Sequence, residues 1–285
     1  MEREVVVTKN AGFCFGAARA VELLEKAAGE GKPVYTYGPI LNNDRLVESF
    51  TKKGVKVIED VSELKDLPKG IVVIRSHGVS KEVYKALDET GNEVIDATCP
   101  FVKRIHKIVD ERSKNGEKIV VIGNPTHPEV KGIVGWSNSE CTVINTMEEV
   151  EKFCRAGIKD FCIVAQTTFN SNKFQEFLDI FRKKGYNINV MNTICDATRI
   201  RQTEAAELAK KSAVMLVIGD EKSSNSRKLY DICKADCDHT YFIQSVEDIR
   251  GQLPVTPGPI GITAGASTPK YIIEEVQSYV RQHDF

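Results

Sequence analysis

Short runs of β-branched and aliphatic residues recur along the chain: EVVVT at 4–8, VYTY at 34–37, IVVI at 71–74 and again at 119–122, FCIVA at 161–165, VMLVI at 214–218 and IGITA at 260–264. Between them lie segments with apolar residues at helical spacing, such as AARAVELLEKA and KFQEFLDIF. Unbroken apolar runs of four or five residues suit strands buried on both faces, and their alternation with helices of 10–15 residues predicts parallel α/β layers. In such layers the ligand-binding loops gather at the C-terminal ends of the strands.

The pattern repeats three times. Strand-like residues Glu4–Thr8 lead to Cys14 and a helix; Glu93–Ala97 lead to Cys99 and a helix; Asn187–Met191 lead to Cys195 and a helix. After each cysteine helix comes a strand with a polar loop, then a second strand with a polar loop and another helix. Modules are predicted over 13–97, 98–193 and 194–285 plus 1–12. The last boundary follows from a spare strand: the third copy stops at its helix, so residues 4–8 are expected to complete its sheet. The predicted fold class is α/β, with three pseudo-symmetric modules arranged around the cysteines.

With 285 residues, 41% hydrophobic and 28% charged, the chain can bury a core without disulfide staples. Its net charge of −1 offers no basic face for a nucleic acid. No apolar run approaches the ~18 residues of a membrane span, and the acidic N-terminus does not read as a signal peptide. A cytoplasmic protein is expected, its eight cysteines not a disulfide framework.

Cys14, Cys99 and Cys195 each sit at a strand-to-helix turn, where free N–H groups and the helix dipole favour a thiolate. Three such ligands suit zinc, copper(I) or an iron–sulfur cluster, and leave one metal position open for chemistry. An iron–sulfur sensor and a zinc lyase on the same thiolates remain alternatives. Cys141, Cys154 and Cys162 read as structural residues in or beside strands; Cys233 and Cys237 have the i, i+4 spacing of one helical face, with Cys237 near the expected helix end. Six loops offer Asn42 and Asn43, Ser76 and His77, Thr126, His127 and Glu129, Thr167 and Thr168, Ser223, Ser224 and Asn225, and Thr263 and Ser267. This is a donor-rich set beside helix N-termini, suited to phosphate oxygens without Lys or Arg. Glu129, read as the only carboxylate of the set, is the natural proton donor. His106, between Lys103 and Lys107 on a helix, is expected to be solvated. No GxGxxG opens the first βα unit, so no nicotinamide or flavin site is expected.

GFCFGAARA, RSHGVS, DATCP, GNPTHPEVKG, QTTF, NTICDATRIRQ, the SSN stretch and GITAGASTP, in order over residues 12 to 269, resemble the 4-hydroxy-3-methylbut-2-enyl diphosphate reductase family. The resemblance implies a 4Fe-4S cluster on Cys14, Cys99 and Cys195, with the substrate hydroxyl at its fourth iron. It implies reductive dehydroxylation of that diphosphate to isopentenyl and dimethylallyl diphosphate, with ferredoxin or flavodoxin as electron donor. Diphosphate contacts carry over to His77, His127, Ser223, Ser224, Asn225 and Ser267. Glu129 would deliver the proton, and Thr167 and Thr168 would orient the hydroxyl. One position departs: where the family usually carries histidine, this chain has Asn42, so that contact to the diphosphate is neutral here.

Overall fold

The fold is that of a computed structural model describing residues 4–158, 160–251, 253 and 257–283. The chain opens with β1 (Val5–Val7) and α1 (Phe15–Ala28). The next stretch holds β2 (Val34–Tyr37), α2 (Asp44–Thr51), β3 (Lys56–Ile58), β4 (Ile71–Ile74), α3 (Lys81–Asp88) and β5 (Glu93–Asp96). There follow α4 (Pro100–Lys114), β6 (Ile119–Ile122), α5 (Pro128–Val134), β7 (Cys141–Ile144), α6 (Met147–Arg155), β8 (Asp160–Ala165), α7 (Ser171–Lys183) and β9 (Asn187–Val190). The last part holds α8 (Asp196–Ala209), β10 (Val214–Ile218), α9 (Ser224–Asp236), β11 (Thr240–Ile243), β12 (Ile260–Ala264) and α10 (Lys270–Gln282). No described helix is long and apolar enough to cross a membrane.

The strands form three four-stranded parallel sheets with one shared topology: β3-β2-β4-β5, β7-β6-β8-β9 and, in the same sense, β11-β10-β12-β1. The α/β class with three modules is therefore borne out. β1 lies beside β12 with Val5 opposite Ile260 and Val7 opposite Ile262, so the N-terminal strand completes the third sheet as expected. The ladders match bond for bond. Ala97 N–H donates to Ile74 C=O, Met191 to Ile163 and Thr8 to Ile262, at 3.1, 2.9 and 2.9 Å. Each is the last rung before a cysteine, which follows two, four and six residues later. Likewise Gly38, Gly123 and Gly219 donate to the carbonyls of Ile58, Ile144 and Ile243.

The chain divides into two compact units. One comprises residues 19–40 and 50–195, with two of the sheets; the other gathers the described residues of 1–18, 41–49 and 196–285, with the third. Within the expected third module, residues 1–3, 252, 254–256 and 284–285 lie outside the described set. Central strands β4, β6, β10 and β12 are buried along their whole length, which is why they read as unbroken aliphatic runs. The second sheet adds a ring cluster: Phe153, Phe161 and Phe181 meet edge to face with centroids 5.0–5.9 Å apart. Such pairs add roughly 0.5–1.5 kcal/mol each beyond their buried area.

Two expectations are corrected. Cys154 lies on α6, not in or beside a strand, because a capping box at Thr146 and Glu149 starts a helix there. His106 is not solvated but 2% exposed, its ring stacked on Trp136 with centroids 5.1 Å apart and planes 12° from parallel. The Trp136 indole is itself tied to the Val79 carbonyl at 2.8 Å. The His106 Nε2 has no hydrogen-bond partner, and burial lowers the imidazole pKa to about 4.

His106 therefore stays neutral in the folded chain and protonates near 6.5 once unfolded. A base whose folded pKa is depressed costs no stability above pH ~6.5 and an increasing amount as pH falls toward 4. Between pH 7 and 5 the native protein should lose about 2 kcal/mol more than His106→Phe, which keeps the stack without the titration. Denaturant melts at both pH values check this; equal losses would place the His106 ring in water.

Candidate functional site

The site residues named from the sequence fall into two groups, one in each unit. In the two-sheet unit are Cys99, Cys195, His77, His127, Glu129, Thr167 and Thr168; in the other are Cys14, Asn42, Ser223, Ser224, Asn225 and Ser267.

The first group is built on the ends of β4, β6 and β8. Pro128 starts α5, which leaves His127 as N-cap and Glu129 in the first turn. His127 Nδ1 accepts the Glu129 N–H at 3.2 Å. A nitrogen that accepts carries no proton, so the neutral ring holds its hydrogen on Nε2 and turns a donor away from the helix. The Glu129 side chain, 2% exposed, accepts from Thr167 through both oxygens: from its N–H at 2.6 Å and its hydroxyl at 2.8 Å. Two donors on one threonine lock the carboxylate in a single orientation beside the end of β8.

His77 meets His127 edge to face, with centroids 5.3 Å apart. Its Nδ1 is out of water and without a partner. Burial holds the His77 pKa well below its usual value, and His127 and Arg75 push it the same way. Both cysteine turns are tied to these loops: Cys99 N–H donates to the Ser76 carbonyl at 2.9 Å, and Cys195 N–H to that of Thr167 at 3.1 Å. Gln166, overlooked in the sequence, is fully buried; it accepts the Asn124 N–H and donates to the Thr168 hydroxyl.

The second group surrounds the N-terminus of α9. Ser223 caps that helix by accepting the Ser226 N–H, and also receives the Ser226 and Ser267 hydroxyls at 2.9 and 3.4 Å. Ser224 opens the helix itself. Asn225 is 4% exposed, and neither end of its amide has a hydrogen-bond partner. A buried amide left this way costs ~1–3 kcal/mol. Asn42 donates from its amide to the Lys222 carbonyl at 3.1 Å, while its own carbonyl receives the Ser267 hydroxyl. The loop also holds Asp220, 3% exposed, which accepts the N–H groups of Asp44 and Lys222. Glu129 is thus not the only carboxylate of the loop set; Asp220 went unread because its partners are backbone groups, one of them distant in sequence. The turn before Cys14 is held by Arg201, which donates to the carbonyls of Asn10 and Gly12.

The three cysteines are half-buried, each one residue before its helix. The remaining thiols suit metal chemistry poorly. Burial pushes Cys233 up to about 12 and Cys162 to about 11, and the Cys233 and Cys237 thiols donate to backbone carbonyls. No three His, Cys, Asp or Glu side chains among the described residues gather as ligands of one metal ion.

A sequence model of a family described as LytB protein matches residues 5–281. The chain belongs to the LytB family. It is 42% identical over 276 residues, 96% of its own length and 95% of the relative's, to 4-hydroxy-3-methylbut-2-enyl diphosphate reductase of Caldanaerobacter subterraneus subsp. tengcongensis. It is 41% identical over 286 residues to the Clostridium perfringens protein of that name, covering 99% and 100% of the two chains. Among solved structures, (E)-4-hydroxy-3-methyl-but-2-enyl diphosphate reductase, described as the terminal enzyme of the non-mevalonate pathway, is 36% identical with a TM-score of 0.71, covering 99% and 100%. The E-1-hydroxy-2-methyl-but-2-enyl-4-diphosphate reductase from Plasmodium falciparum is 28% identical with a TM-score of 0.90, covering 99% and 88%. The family resemblance carried by the sequence motifs is thus borne out for this LytB chain.

In the LytB chain the end of β12 sits tightly on α9. A methyl group on Gly265 would lie 1.9 Å from the Ser226 hydroxyl oxygen and 3.1 Å from its Cβ. Gly265→Ala should therefore destabilise by at least ~1–3 kcal/mol. Adding Ser226→Ala, which removes the clashing oxygen, should recover part of that loss in a double-mutant cycle of melting curves. Strict additivity would show that the two do not touch.

Proposed function

We propose that the chain is itself a 4-hydroxy-3-methylbut-2-enyl diphosphate reductase. The allylic C–O bond breaks, two electrons and two protons enter, and isopentenyl or dimethylallyl diphosphate leaves with one water. The reading rests on one observation above all: half-buried cysteines at equivalent strand-to-helix turns of three equivalent sheets, in a chain whose relatives carry that name.

The donor set fits an iron–sulfur cluster. Cys14, Cys99 and Cys195 each stand one residue before a helix, and sulfur is the donor that such clusters take. These three would hold a 4Fe-4S cluster through three ligands. When bound, the cluster supplies the electrons, received singly from ferredoxin or flavodoxin, and Lewis acidity at the iron without a cysteine.

The chain's own groups do the rest. The resemblance supports His77, His127, Ser223, Ser224, Asn225 and Ser267 as the diphosphate contacts, and the start of α9 would add its N–H groups. Asn42 is the neutral member of this set. Glu129 delivers the proton that turns a poor leaving group into water, and Thr167 and Thr168 orient the hydroxyl. Because Thr167 already holds both carboxylate oxygens, Glu129 stays aimed while it exchanges its proton.

Anaerobic purification with iron and sulfide analysis, followed by turnover with a reduced viologen, tests the assignment. Cys→Ser at 14, 99 or 195 should strip or cripple the cluster, whereas Cys233→Ser should keep it. A cluster that survives Cys195→Ser but is lost in Cys233→Ser would overturn the ligand set.

Glu129→Gln isolates the proton step. Glutamine can accept the Thr167 N–H and donate to its hydroxyl, so folding, iron content and diphosphate binding should persist. Turnover should fall at least ~10²-fold. Near-normal turnover in this variant would remove Glu129 from the chemistry.

A further inference from the structure

Arg75 directly follows β4 and opens the RSHGVS stretch, two residues before His77, and the proposed reaction gives it no role. Its Nε is out of water and has no hydrogen-bond partner. No carboxylate among the described residues forms an ion pair with it; Glu59 and Tyr37 act on it only from a distance. The guanidinium lies against Gly38, where an added Cβ would come within 2.2 Å of a terminal nitrogen. Gly38 also has φ +67°, so the space and the backbone both require glycine. A half-buried cation without an ion-paired carboxylate carries a desolvation cost that an arriving anion would offset.

The neighbouring groups sharpen this. His77 Nδ1 is a second buried polar atom without a partner, two residues away on the same loop. His77 is held neutral, partly by the field of Arg75 itself. His127 accepts the Glu129 N–H and so has one nitrogen without a proton. The loops of this unit thus present neutral donors, and Arg75 places a positive charge within reach of His77.

We propose that Arg75 is the resident cation of this half-site, a positioning residue that acts through the His77 loop to raise the affinity for a diphosphate group. The proposal rests on the diphosphate reading above and adds to it the source of positive potential that the polar loops lack. Arg75 makes no part of the bond-breaking step, so its removal should weaken binding and leave the bound reaction intact.

The test is calorimetric titration of inorganic diphosphate into the anaerobically prepared holoenzyme, for the native chain and for Arg75→Lys, Arg75→Gln and Arg75→Met. Loss of one charge acting on a multivalent anion across a half-screened gap should weaken binding about tenfold in the Gln and Met variants. The Lys variant should stay within about threefold of the native chain. The dependence of binding on salt should be shallower without the charge, which loss of packing alone would not produce. In turnover, KM should rise by a similar factor while kcat changes less than about twofold.

Unchanged affinity and salt dependence in Arg75→Gln would overturn the proposal. So would an Arg75→Lys variant as weak as Arg75→Met, since shape rather than charge would then matter. If Arg75→Met fails to fold, the Gln and Lys variants decide alone. A native holoenzyme that binds no diphosphate would instead defeat the underlying substrate reading.

Discussion

The pairing of Val5–Val7 with Ile260–Ile262 is the interaction on which the third sheet depends. Without it, β12 would be an edge strand of five residues buried along their length, presenting unpaired N–H and C=O groups. The pairing also fixes where Cys14 begins. Thr8 makes the last rung at Ile262, and six residues later the cysteine stands before α1. The other two sheets reach the same end through local strands, β5 and β9. In the third, β1 takes that place, closing a loop of more than 250 residues between Val5 and Ile260. Contacts of that sequence separation carry a large loop-closure cost that the pairing has to offset.

Parallel pairing then decides where chemistry can lie. All strands of a parallel sheet point the same way, so every C-terminal loop of that sheet emerges at one edge. The cysteine turns hang from those edges by short tethers, and backbone bonds from Cys99 and Cys195 to Ser76 and Thr167 fix two of them against neighbouring loops. The Cys14 turn has a longer tether and an arginine instead, Arg201 on the carbonyls of Asn10 and Gly12. One architectural problem has two local solutions, set by tether length.

This also explains what the amino-acid sequence disclosed. Central strands buried on both faces appear as uninterrupted aliphatic runs, and the three cysteine turns recur in register, so sheet class, strand exchange and family were legible. The edge strands β3, β7 and β11 carry no such signal: each is three or four residues long and mixes polar with apolar side chains. His106 looked solvated between two lysines because the ring that covers it, Trp136, lies thirty residues on. Asp220, Gln166 and Arg75 escaped for the same reason. Their roles come from backbone groups and loops distant in sequence, which no local pattern encodes. The loops' donor-rich character was visible; the half-buried Arg75 beside them was not.

Buried polar atoms without partners are the residue of that site, but they do not all mean the same thing. Thr36 and His106 carry such atoms inside a strand and a helix, where no ligand could reach them, and they are tolerated costs of packing. His77, Arg75 and Asn225 carry theirs at the C-terminal ends of strands or in the first turn of α9. Each costs roughly 1–3 kcal/mol while unfilled. A ligand that satisfies them regains that energy as binding and, by linkage, as folding stability. Position therefore distinguishes the two kinds: at loop ends an unpartnered atom lies where the proposed ligand could satisfy it, and inside an element it does not. A donor set that is mostly neutral has a further consequence. On the proposed reading, the contacts made by N–H and amide groups at the start of α9 would not titrate, unlike those of His77 and His127, and Asn42 would add one more contact of the same neutral kind.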